Sequence, residues 1–83
     1  MTLRVGQLAM LNRNVGSTHV YCIEWWRTTW RLNNDRKNYE MPVDKITRGE
    51  TVLVLETDAS ICRIITPRSK IGWVPIDLFD SVL

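Results

Sequence analysis

An all-β fold is expected for this chain: a small barrel or sandwich of about five short antiparallel strands, with a long inserted first loop or an extra hairpin. Three observations lead there. The second half is a succession of short runs rich in β-branched and apolar residues, Thr51 to Glu56, Ile61 to Thr66 and Ile71 to Val74, each bounded by turn residues. Met41-Pro42 ends whatever precedes it, because the residue before a proline avoids the helical region. Finally, Lys70 to Phe79 joins an apolar strand, a strand-ending Pro75 and a tight turn into a closing apolar segment.

Taken in order, Arg4 to Asn12 reads as a first strand, with Gly6 permitting a bend or a close backbone approach. Asn12 to Ser17 is a turn, since Asn and Gly tolerate the backbone angles a reversal requires. His19 to Leu32 is rich in β-branched and aromatic residues and reads as a strand or hairpin, although Ile23, Trp26 and Trp30 would also share one helical face. Asn33 to Asn38 is a polar loop. Arg48-Gly49-Glu50 turns into the strand from Thr51, Thr57 to Ser60 is a short reversal, and Pro67 to Lys70 turns the next hairpin. After Pro75, Ile76-Asp77-Leu78 suits one tight helical turn, and Phe79 to Leu83 returns as a last strand.

The chain of 83 residues is one domain near the lower end of what folds alone, so its core is small and leaves little room for a deep catalytic pocket. Its composition, 45% hydrophobic and 24% charged, is that of a globular protein rather than a disordered or fibrous one. A net charge of +2 is too small to imply nucleic acid by itself. The charge is uneven, +4 through Tyr39 and −2 beyond it, which suits a partner of mixed charge at least as well as phosphates. Cys22 and Cys62 each lie in an apolar segment, outside any metal or redox motif, and read as free buried thiols. No segment has the length of a signal peptide's apolar run or of a membrane helix, so a soluble, reducing compartment is the expectation.

Residues 48 to 82 resemble the second half of an SH3-like β-barrel. Arg48-Gly49-Glu50-Thr51-Val52-Leu53-Val54-Leu55 is similar to that family's "KGDxIxVL" strand, and Gly72-Trp73-Val74-Pro75-Ile76-Asp77-Leu78-Phe79 to its "GxxPxxYV" ending. The resemblance implies a first strand at Leu8 to Leu11 and an enlarged first loop over roughly 13–47, about 20 residues beyond the family's usual extent; inserts of that size are more often functional than idle. The eukaryotic branch of the family binds polyproline helices on a groove of aromatic rings. Here Ile61 and Cys62 match the positions of its paired tryptophans and Leu78 that of its tyrosine, leaving only Pro75. Without rings there is little to stack against prolyl faces.

The candidate binding residues therefore move to the insertion, which holds three of the four tryptophans. Trp25, Trp26, Arg27, Trp30 and Arg31 are the residue types most enriched at interface hot spots, each removing a large area from water while keeping a polar handle. If the segment is a strand, Trp25 and Trp26 point to opposite faces, one toward a core and the other outward. With Arg36 and Lys37, the same residues also suit single-stranded nucleic acid, where bases stack on rings, but Glu24, Asp35 and Glu40 interrupt the patch. His19 reads as a solvated turn residue, Asp77 and Asp80 as a cap and a surface charge, and Trp73 as barrel core or rim. No catalytic residue, metal ligand or cofactor site is expected. The implied function is a non-enzymatic protein-interaction or structural module, similar to small accessory subunits of larger assemblies, phage virion or tail components among them, with a cytoplasmic or virion location and no membrane partner.

Overall fold

The computed structural model describes residues 3–23 and 41–82. The fold is all-β. Its strands are β1 (Leu8–Leu11), β2 (Ser17–Val20), β3 (Asp44–Thr47), β4 (Thr51–Asp58), β5 (Ile61–Ile65), β6 (Ile71–Pro75) and β7 (Phe79–Ser81), with a single 3-10 turn at Ile76–Leu78 before the last. A five-stranded antiparallel sheet runs in the order β6-β5-β4-β1-β7, and β2 and β3 form a second, two-stranded sheet. The count among the described residues is thus seven rather than about five, the difference being the extra hairpin β2–β3.

Several boundaries differ from expectation for local reasons. β1 begins at Leu8 rather than Arg4, because Arg4 to Gln7 forms a turn closed by the Gln7 amide on the Arg4 carbonyl (3.1 Å) and by the Arg4 amide on Gln7 Oε1 (2.8 Å). Gly6 sits in this turn at φ +89°, a conformation costly for any residue with a β-carbon. β4 runs on to Asp58, past the expected Glu56, with a register shift between Val54 and Glu56 that places an extra residue, Leu55, on its strand. The reversal is correspondingly compressed to Ala59-Ser60, with Ala59 at φ 56°. His19 lies in β2 rather than in a turn, exposed, with its ring edge-on to Tyr21 at 6.1 Å. β3 escapes sequence reading because Asp-Lys-Ile-Thr contains one apolar residue, too few for an alternating pattern to register.

The core is built by alternation. Ala9 and Leu11 from β1, Val52 and Val54 from β4, Cys62 and Ile64 from β5, Val74 from β6 and Phe79 from β7 point to one side and are buried, and Leu3 joins them. Two further members come from the extra hairpin, Val20 and Ile46, each with no exposed surface. Full burial of such a side chain contributes about 1.5–3 kcal/mol. The hairpin is therefore part of the fold's hydrophobic interior and not an appendage to it.

The two sheets meet at one backbone bridge. Tyr21 and Trp73 pair antiparallel, the Tyr21 amide donating to the Trp73 carbonyl (3.1 Å) and the Trp73 amide to the Tyr21 carbonyl (2.7 Å). Among the described residues neither sheet closes on itself.

Candidate functional site

The residues expected to bind a partner, Trp25, Trp26, Arg27, Trp30 and Arg31, lie outside the described residues, as does most of the expected strand or hairpin over His19 to Leu32. The structure does define the base from which that segment departs after Ile23 and to which it returns at Met41. Three devices hold the base against the five-stranded sheet.

The first is the Tyr21–Trp73 bridge, continued on the hairpin by the Val43 amide, which donates to the Val20 carbonyl at 2.7 Å. The second is a close approach over Gly72. A β-carbon at that position would lie 2.5 Å from Val20 Cγ1, 2.7 Å from Val43 Cγ2 and 3.2 Å from the Tyr21 carbonyl oxygen. Branched side chains at 20 and 43 occupy the space that any other residue at 72 would need, which lets the hairpin seat on β6.

The third device is ionic. Arg68, in the turn between β5 and β6, sends its Nε to both carboxylate oxygens of Asp44 at 3.0 Å, one Nη to the Glu50 carboxylate, and the other to the Lys45 carbonyl at 2.6 Å. Thr66, buried below the turn, accepts the amides of Arg68 (3.3 Å) and Lys70 (3.1 Å) on its hydroxyl oxygen. Partial desolvation pulls the Asp44 carboxyl upward, but hydrogen bonds from Thr66, the Lys45 amide and Arg68, with the Arg68 charge, leave it below its ordinary value. Glu50 is held at about 2, by Arg68 first and then by the amide and hydroxyl of Thr47. The same contacts, Glu50 first and Asp44 second, push the guanidinium further up. Arg68 thus clamps β3 to the β5–β6 turn, and nothing in sequence points to it, since its carboxylates lie 24 and 18 residues away.

The positions implied by the resemblance take different surroundings. Cys62 is wholly buried, and burial pushes its thiol up to about 11; both cysteines are free, Cys22 being half-buried. Ile61, Pro75 and Leu78 are half-buried and Trp73 is 7% exposed, so it belongs with the packed residues. Asp77 stands in the first turn of the 3-10 segment, whose start carries no side-chain cap, and Asp80 is exposed on β7. Sequence reading missed Asp44, Glu50, Arg68 and Gly72.

No protein-family model, curated protein or solved structure matches this chain.

Proposed function

We propose that this chain is a non-enzymatic interaction module with an SH3-like small barrel, serving as an accessory subunit of a larger assembly such as a phage virion or tail. One observation carries the reading. The segment between Ile23 and Met41, with its three tryptophans, is tethered at both ends to a hairpin fixed by a backbone bridge, a glycine contact and an arginine clamp. A rigid base reduces the ordering cost that a binding segment pays on association. Trp25, Trp26 and Trp30 would supply the buried area, and Arg27 and Arg31 orientation at the rim. The succession of strands and the helical turn after Pro75 support the SH3-like affinity. The half-buried aliphatic residues Ile61 and Leu78 speak against polyproline recognition.

The test is Trp26→Ala combined with Trp30→Ala. Loss of the co-purifying subunit with an unchanged melting transition is the expected result; loss of folding would make these rings core instead. Oligonucleotide binding that weakens steeply between low and physiological salt would favour the single-stranded nucleic-acid reading in its place.

A further inference from the structure

The five-stranded sheet carries a row of apolar side chains on the face turned away from the core. Register places Leu8 of β1 opposite Leu53 of β4, Leu53 opposite Ile65 of β5, and Ile65 opposite Ile71 of β6. At the β7 edge the Val82 amide donates to the Leu8 carbonyl at 3.0 Å, so Val82 extends the row. Leu8, Leu53, Ile65 and Ile71 are the outward members of strands whose alternate residues form the core, and Val82 follows the end of β7. Leu8, Ile71 and Val82 are 50%, 51% and 44% exposed, and Val5 beside the row is 63% exposed. The adjacent row on the same face is charged at its centre: Glu56 of β4 pairs in register with Arg63 of β5, joined by a 3.1 Å salt bridge between half-exposed side chains, and Trp73 of β6, 7% exposed and in register with Arg63, ends it. The Arg63 Nε is enclosed without an acceptor among the described residues.

We propose that this face binds a second copy of the chain about a two-fold axis running along the strands between β4 and β5. Such an axis exchanges β4 with β5 and β1 with β6. It sets Leu53 against the partner's Ile65, Leu8 against the partner's Ile71, and Glu56 against the partner's Arg63.

A second copy fits this face because an isologous contact requires a patch complementary to itself. This one is: its apolar row is apolar on both sides of the axis, and its charged row exchanges an acid for a base across it. A patch for a charged partner of another kind would carry an excess of one sign. Single exposed apolar residues need no explanation, but a contiguous row across a sheet does, since the largest patch on a typical monomer is only about 300–600 Å² and is often functional. The contact uses side chains of the five-stranded sheet and none of Trp25, Trp26 and Trp30, so it stands independently of the function proposed above.

Sedimentation velocity on the full chain over a range of concentrations tests it. A concentration-dependent dimer is expected, and Leu8→Lys or Ile71→Lys should weaken its dissociation constant at least about tenfold with little change in melting temperature, because both positions are half exposed. Glu56→Arg and Arg63→Glu should each be monomeric alone, through like-charge repulsion across the axis, while an equimolar mixture should form a heterodimer. A strictly monomeric wild type, a dimer indifferent to the lysine substitutions, or charge variants that fail to complement on mixing would each overturn the proposal.

Discussion

Gly72 and Val20 are in a contact that admits no β-carbon: one built on Gly72 would lie 2.5 Å from Val20 Cγ1. Because Val43 closes the other side at 2.7 Å, the clash cannot be relieved by moving one side chain. Gly72→Ala should therefore lift the β2–β3 hairpin from β6 at a cost of about 1–3 kcal/mol. Denaturant unfolding gives the loss. Amide exchange should show weakened protection at Tyr21 and Trp73 in particular, while β4 and β5 keep theirs.

Ile46 offers the complementary test from the hairpin itself. Though it lies in a four-residue strand of polar appearance, it has no exposed surface, and Ile46→Ala should cost about 2–5 kcal/mol. A loss well under 1 kcal/mol by denaturant titration would mean that the hairpin packs only peripherally.

Arg68→Met removes both ion pairs and the bond to the Lys45 carbonyl. Asp44 and Glu50 titrate below their ordinary values in the folded chain, so the stability they contribute is present at neutral pH and is lost as the pH falls from about 4.5 toward about 2. Melting temperature followed through that window should drop in the wild type. The variant should be less stable at pH 7 and should show a flatter acid limb, and raised salt should narrow the gap between the two.

Cys62 should be inert in the folded chain. With its thiol pushed up to about 11, the thiolate fraction at pH 8 is on the order of a thousandth, and burial adds a steric barrier. Alkylation at Cys62, followed by mass spectrometry of its peptide, should proceed only in denaturant; rapid labelling under native conditions would contradict the packing described.

Much of the sheet was legible in advance. Runs such as Val52-Leu53-Val54 and Ile61 to Ile65 announce strands because a pleated chain buried on one side needs branched apolar residues at short range, and Pro75 marks a strand end through its missing amide. The one-turn helix after Pro75 and the last strand followed from the same local chemistry. β3 was not legible, since a strand carried by one buried isoleucine is specified by its partner β2 and not by its own pattern.

The base of the candidate site was hidden for a related reason. Gly72 reads in sequence as one glycine among four, and only the arrival of Val20 and Val43 above it explains its lack of a side chain. Arg68 reads as a turn residue until folding brings Asp44 and Glu50 to its guanidinium. Local composition was sufficient for the all-β class, the second-half hairpins and the closing strand, because propensity and alternation act over a few neighbouring residues. The seating of the hairpin, the arginine clamp and the apolar row from Val82 to Ile71 were decided only by tertiary structure, because each depends on strand register and on contacts between residues far apart in the chain.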